Sequence, residues 1–157
     1  LFSTRHRGVA LWCGLAFLLY GTAIGGSTFY LPTYFQAGRG YAPDDAALIV
    51  GVTHVVALPG YLVAALLGQA ALGVRRTTIL WAALGGLLFG ASVWTPPQFA
   101  RDIALFGLMA TFLFGTASIL TTYLLEAFDV SIRATAAAVC GSASLTAGFI
   151  LGPMLTA

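Results

Sequence analysis

Charged side chains are scarce in this chain, which has seven arginines, five acidic residues and neither lysine nor asparagine. Without asparagine the sequence holds no N-glycosylation acceptor. No basic cluster is longer than two adjacent arginines, so nothing predicts a nucleic-acid partner. A mean hydropathy of +0.94 with 8% charged residues excludes a water-soluble domain and a disordered chain.

The few charges are sorted away from five long apolar stretches, 8–38, 46–74, 77–100, 103–125 and 134–157. Each stretch exceeds the roughly 20 residues with which a helix crosses the hydrocarbon layer. A charge at the bilayer centre costs at least ~2.5–3.5 kcal/mol, which explains the sorting. A barrel would alternate apolar and polar residues, and these stretches do not. The sequence therefore predicts an all-α fold, a polytopic transmembrane helix bundle of five spans in a lipid bilayer.

Residue types that carry catalysis or hold metals are few. Cys13 and Cys140 fall in apolar stretches, where cysteine behaves as a small hydrophobe. No stretch contains a paired carboxylate, a His/Cys/Asp cluster, an HExxH motif or a phosphate-binding loop. Ser27 and Ser118 lack the closing glycine of a G-x-S-x-G elbow. We therefore expect no enzymatic activity, no metal and no cofactor.

The arginines set the expected orientation. The five spans are predicted at about 9–31, 47–70, 77–95, 103–123 and 134–156. One side of the membrane then collects five of the seven arginines, so it is cytoplasmic by the positive-inside rule.

On this topology the 71–76 turn and the 124–133 loop are cytoplasmic, whereas 32–46 and 96–102 face outward. We expect 1–157 to form a single transmembrane domain in the plasma membrane. The odd number of spans and the abrupt ends suggest a fragment of a longer protein.

His54 is the titratable side chain inside a predicted span, about 10 Å below the outer edge. An ionisable group at this depth predicts a proton relay or a substrate contact. The alternative is a neutral imidazole that donates to a backbone carbonyl on a neighbouring helix. Polar side chains in apolar surroundings add further candidates for a solute or proton pathway: Tyr30, Tyr34, Gln36, Thr122 and Tyr123.

Helix breakers and small residues suggest where helices bend or approach. Pro59 and Gly60 predict a helix break within the second span, as in transporters, although kinks also occur in inert bundles. Pro32 and Pro43 bracket a predicted Gly-rich loop. Small-residue pairs that allow close helix packing are Gly21 with Gly25, Gly86 with Gly90, and Gly148 with Gly152.

Charges also collect around the predicted cytoplasmic connections. Glu126 and Arg133 flank one loop, and Arg75 and Arg76 follow the second span. These residues could lock helix ends together in one conformation and release them in another. The alternative is a set of solvated loop charges worth ~0–1 kcal/mol each.

Two stretches resemble the major facilitator superfamily, in its sugar-porter and metabolite:proton symporter branch. Residues 58–80 resemble the eighth helix and the cytoplasmic turn after it, and 123–153 resemble the connection from the tenth to the eleventh helix, E-x-[FY]-P-T-x-x-R-[AG]-T. The second motif is matched by Glu126, Phe128, Arg133, Ala134 and Thr135. Asp129 stands where the family has proline, and the acid of the cytoplasmic turn is missing, so Asp129 is a candidate substitute.

The resemblance implies a partial C-terminal half, helices seven to eleven, of a twelve-helix transporter whose six-helix N-terminal half is missing here. It implies a cytoplasmic gate network of Glu126, Arg133, Arg75, Arg76 and Asp129. It further implies secondary active transport of a small organic solute by alternating access, with proton coupling left open. The alternatives are a polytopic membrane enzyme and a non-transporting truncated membrane protein.

Overall fold

The computed structural model describes residues 7–70 and 72–151, and every regular element in that part of the chain is a helix. The all-α prediction is therefore confirmed. Helices are the expected outcome because the long apolar runs contain no hydrophobic alternation of period two.

The first helix is longer than the sequence predicted. Helix α1 covers Arg7–Thr33 with Pro32 inside it, and a π-helical turn, Tyr34–Gly38, continues it. The Gly-rich loop predicted from Pro32 onward shrinks to residues 39–42. A proline near the end of a helix removes one hydrogen bond but keeps a helical φ, so it need not stop the chain.

Three helices follow, and their ends match their sequences. Helix α2 (Pro43–Ala70) starts with proline and carries Asp44 and Asp45 in its first turn, where acidic groups are favoured. Gly73, with a positive φ of 75°, leads into α3 (Val74–Trp94), which ends before the TPPQ segment. Helix α4 (Phe99–Ala127) again has an acid in its first turn.

The fifth predicted span begins as a shorter helix. Helix α5 covers Val130–Thr146, and a second π-helical turn extends it through Ala147–Leu151. Within the described residues, four helices are long and apolar enough to cross a membrane: α1 with its π-turn, α2, α3 and α4. The end of the predicted fifth span, 152–156, lies outside the described residues, so five spans stay a prediction.

The helices group into two compact units. The central unit is Leu31–Ile119, and the terminal unit is Leu1–Tyr30 together with Leu120–Ala157. Phe35, Ile49 and Phe106 are fully buried in the core of the central unit. Cys13, Leu124, Phe128, Ala136 and Cys140 form the core of the terminal unit.

The structure shows close helix packing at one predicted small-residue pair, Gly21 with Gly25, but not at Gly86 of a second pair. A Cβ on Gly21 would overlap the Ser144 backbone, and one on Gly25 would overlap Gly148, so close packing at the Gly21–Gly25 pair is confirmed. Gly86 instead has open space beside it, and its neighbour Gly85 packs against Leu113. The helical periodicity therefore places the adjacent glycine, and not Gly86, against α4.

The topology can be checked with single cysteines at Leu72 and Ala100, both exposed in the central unit. We expect an impermeant maleimide to label Ala100→Cys in intact cells and Leu72→Cys only after permeabilisation, because the arginine distribution places 96–102 outside. The unmodified chain is the control, since its two cysteines are buried. The opposite labelling pattern would reverse the orientation.

Candidate functional site

A buried ion pair joins the end of the first helix to the start of α4. Arg39 Nη1 donates to Asp102 Oδ1 at 2.5 Å, and the two side chains are 3% and 0% exposed. Taking two charges out of water is costly, and the pair is retained only where hydrogen bonds satisfy both groups. This pair meets that condition.

The guanidinium of Arg39 contacts three further residues. Its Nε donates to the Tyr34 hydroxyl at 3.0 Å, and Nη2 donates to the backbone carbonyl of Ser92 near the end of α3. Its central carbon lies 5.5 Å from the Tyr34 ring centre and 5.6 Å from that of Phe106, within cation–π range. One side chain therefore ties together the ends of three elements.

Both carboxylate oxygens of Asp102 accept a hydrogen bond. Its Oδ1 accepts from Arg39, and its Oδ2 accepts from the Tyr41 hydroxyl at 2.7 Å. Its place in the first turn of α4 adds the favourable interaction of an acid with a helix N-terminus. We call Arg39, Asp102, Tyr34, Tyr41 and the Ser92 carbonyl the Arg39–Asp102 network.

Two groups of this network, Arg39 and Tyr41, have raised pKa values. Burial and the hydrogen bond to Asp102 raise the pKa of Tyr41 to about 12, so its hydroxyl stays a proton donor near neutral pH. Burial disfavours the charged form of Arg39, but the hydrogen bonds to Tyr34 and Asp102 outweigh it and raise the pKa of Arg39. Arg39 and Tyr41 therefore both keep their protons near neutral pH.

Aromatic rings cover the network from the core side. Phe35 and Phe106 meet edge to face at 4.7 Å between ring centres, and both side chains are fully buried. Tyr34 lies 6.0 Å from Phe106, and Tyr41 lies 6.1 Å from Phe35. These aromatic rings lie between the ion pair and the rest of the apolar core of the central unit.

His54 lies on α2, half-buried, with Nδ1 2.8 Å from the carbonyl oxygen of Val50 one turn earlier. The acceptor is therefore in its own helix and not in a neighbouring one. Its ring is 5.4 Å from that of Phe114, which stacks on Tyr61 at 6.3 Å. In the tautomer that donates from Nδ1, Nε2 stays available as an acceptor.

Helix α2 continues through Pro59 and Gly60, so the helix break predicted there would take the form of a bend. Two hydroxyls of α4 share their protons between a carbonyl of α2 and one of their own helix. Thr111 Oγ1 is 3.1 Å from Val56 O and 2.8 Å from Gly107 O, and Ser118 Oγ is 3.1 Å from Tyr61 O and 3.0 Å from Gly115 O. Neighbouring helices can in this way satisfy backbone groups near a proline. A bend at Pro59 stays a prediction.

Besides Arg101 Nε, two buried polar atoms of the central unit have no hydrogen-bond partner among the described residues. They are Oγ1 of Thr53 and Nε1 of Trp81, in side chains that are 1% and 5% exposed. Leaving such a group unsatisfied costs about 1–3 kcal/mol, so each is a candidate contact for a polar solute or water.

No family model matches this chain, and neither the curated proteins nor the solved structures gave a match. The resemblance of 58–80 and 123–153 to the major facilitator superfamily therefore stays a prediction. Function has to be argued from the site itself.

The residues of the predicted cytoplasmic gate are divided between the two units. Glu126 is exposed in the last turn of α4, and Arg133 donates to the Phe128 carbonyl from both Nε and Nη2 at 3.4 Å. In the described part of the chain Glu126 and Arg133 form no ion pair. Asp129 is the N-cap residue of α5. Arg75 and Arg76 are exposed at the start of α3, in the central unit, and the gate network stays a prediction.

Some of the predicted pathway residues belong to the central unit and others to the terminal unit. Tyr34 belongs to the Arg39–Asp102 network, whereas Gln36 is exposed on the π-turn. Tyr30 and Thr122 are half-buried and Tyr123 is exposed, all three in the terminal unit. Their role in a pathway stays a prediction.

Sequence reasoning missed the strongest polar feature, because it treated Arg39 and Asp102 only as loop charges. A usable signal was present: both flank apolar stretches, carry opposite charges, and lie on the same predicted side of the membrane. Such a pair can meet whenever the two helices are neighbours.

Proposed function

We propose that this chain is part of a multi-pass secondary transporter of the plasma membrane, of major facilitator type. It moves a small organic solute by alternating access, against a six-helix N-terminal half that is not part of this sequence. The observation that supports the proposal best is the Arg39–Asp102 network, a buried polar link between the ends of three elements in an otherwise apolar bundle. Burying two charges is costly, and the pair lies at the outward-facing ends of the helices, so we take it as a functional group of the transporter.

The network has the properties of an outer gate. It joins the ends of α1, α3 and α4 on the side that the arginine distribution predicts to be outside, and it depends on side-chain bonds that break when the helices separate. Alternating access requires such bonds on one side of the site to open while others close. The network therefore stabilises an outward-closed conformation.

The polar groups inside the central unit fit a solute path. His54 offers an imidazole nitrogen, and Thr53 and Trp81 offer groups without partners among the described residues. A mostly apolar site with a few polar groups is the usual composition of a small-molecule site. The imidazole of His54 is the group through which protons would couple to transport.

The test is uptake of labelled sugars, carboxylates and amines into cells that produce the full-length protein, measured against external pH. We expect Asp102→Asn to lower uptake at least fivefold per molecule of folded protein in the membrane, since the closed state loses its ion pair. Asp45→Asn, which removes an exposed acid on the same predicted side, is the matched control. His54→Gln should alter the pH profile if protons are coupled. Equal uptake by Asp102→Asn, Asp45→Asn and the parent would show that the Arg39–Asp102 network is not a gate.

A further inference from the structure

Helices α1 and α5 of the terminal unit meet at small residues. Gly21 abuts the Ser144 backbone, and Gly25 abuts Gly148. The Phe29 and Phe149 rings follow at 5.3 Å. Because the numbers rise together along both helices, α1 and α5 run parallel from this crossing.

Toward the N-terminal ends of these two helices, a wedge-shaped cavity of about 520 Å³ lies between them. Apolar side chains form most of its lining, among them Ala10, Leu18 and Ala143, and Gly14 leaves room along one wall. Leu11 is 73% exposed and Leu15 44%, so this wall of the wedge is accessible from the surroundings.

The length of the wedge matches one leaflet of a bilayer. Its lining on α1 runs from Arg7 to Leu18, about 16 Å at 1.5 Å per residue. Half of a ~30 Å hydrocarbon layer is about 15 Å. The wedge is therefore long enough for a hydrocarbon chain that crosses one leaflet.

Two arginines lie at one end of the wedge, where Asp129 also follows the lining residue Phe128. Arg7 lines it, is exposed, and has no ion-pair partner among the described residues. The guanidinium of Arg133 is bound to the carbonyl of Phe128, another lining residue. Of the acidic residues in the described chain, none lines the wedge. This charge is complementary to a phosphate and not to a second cation.

We infer that the wedge between α1 and α5 binds one acyl chain of an anionic phospholipid, whose phosphate pairs with Arg7. Basic pockets between transmembrane helices on the cytoplasmic side suit anionic headgroups, and the positive-inside rule predicts this end of α1 to be cytoplasmic. The lipid fills a gap that the close contact at Gly21 and Gly25 leaves open. The site does not depend on whether the protein transports a solute.

The headgroup is tested by native mass spectrometry of the full chain in a non-ionic detergent with equal amounts of phosphatidylglycerol and phosphatidylcholine. We expect one retained lipid, with phosphatidylglycerol favoured about fivefold, the effect of a single arginine near an anionic lipid. Arg7→Gln should abolish that preference. Arg76→Gln, which removes an exposed arginine in the first turn of α3, is the matched control and should keep it. An unchanged preference in Arg7→Gln would overturn the headgroup assignment.

The acyl-chain site is tested by filling the wedge. A Cβ on Gly14 meets no atom within 4 Å, so Gly14→Leu adds bulk to the wedge without an initial clash and should lower lipid retention about tenfold. Gly86→Leu is the control, because Gly86 is also open but lies on α3. Ala10→Leu serves if Gly14→Leu does not fold. Parent-like lipid retention in a folded wedge-filling variant overturns the site. The site is also overturned if the parent chain forms dimers, and a wedge-filling variant no longer does so but still retains its lipid. In that case a second copy of the chain occupies the wedge.

Discussion

Asp102→Leu is expected to lower the free energy of unfolding by about 3–5 kcal/mol, because it leaves the buried guanidinium of Arg39 without a counter-charge. Arg39→Met should cost a similar amount by stranding the carboxylate. The measurement is the free energy of unfolding from SDS titration of protein in mixed micelles. Asp45→Asn is the control, since an exposed acid in a first turn contributes less than about 1 kcal/mol.

The double variant Arg39→Met/Asp102→Leu separates the ion pair from the packing. Apolar residues of similar volume often replace a buried pair without loss, so the double variant should regain at least half of the stability lost in either single variant. Tyr34, Tyr41 and the Ser92 carbonyl lose partners in it, which keeps the recovery incomplete. Fully additive losses would show that the two charges do not act as a pair.

A pair of this kind also bears on the proposed function. If the network closed the outer side only to stabilise the fold, the apolar double variant would keep the parent's uptake. If it opens and closes during transport, the double variant should be stable yet slow, since an apolar contact replaces bonds that water can satisfy in the open state. Stability and uptake therefore separate the structural role from the gating role.

Helix positions could be predicted from the sequence because charge exclusion and length are local properties. The ends of α2, α3 and α4 lie within a few residues of the predicted spans. The end of the first helix was missed because Pro32 was interpreted as a stop, although a proline near a helix end is tolerated.

The candidate site could not be predicted in the same way, because it depends on which helices are neighbours. Arg39 and Asp102 are 63 positions apart, and no periodicity in the sequence brings them together. The partner of His54 was predicted as a carbonyl but assigned to a neighbouring helix, whereas the structure has Val50 one turn away. Choosing between acceptors in the same helix and in adjacent helices requires coordinates.

The second large effect is expected at the crossing of α2 and α4. A Cβ on Gly60 would overlap the carbonyl oxygen of Thr111, which is backbone and cannot move aside as a side chain would. Separating the helices would also lengthen the bonds from Thr111 to Val56 and from Ser118 to Tyr61. In lipid, helix association depends on such packing and not on the hydrophobic effect. Gly60→Ala should therefore lower the free energy of unfolding by about 3 kcal/mol, at the upper end for overpacking.

Gly51→Ala on the same helix is the matched control for Gly60→Ala. Gly51 is exposed, and a Cβ there meets no atom within 4 Å. Alanine is favoured over glycine in a helix by up to about 1 kcal/mol, so Gly51→Ala should be neutral or stabilising. The two variants make the same chemical change nine positions apart, so a difference in their SDS-unfolding free energies reports the α2–α4 crossing alone. Equal unfolding free energies for Gly60→Ala and Gly51→Ala would mean that α2 and α4 do not meet at Gly60. The hydrogen bonds from Thr111 and Ser118 to α2 would then also be wrong.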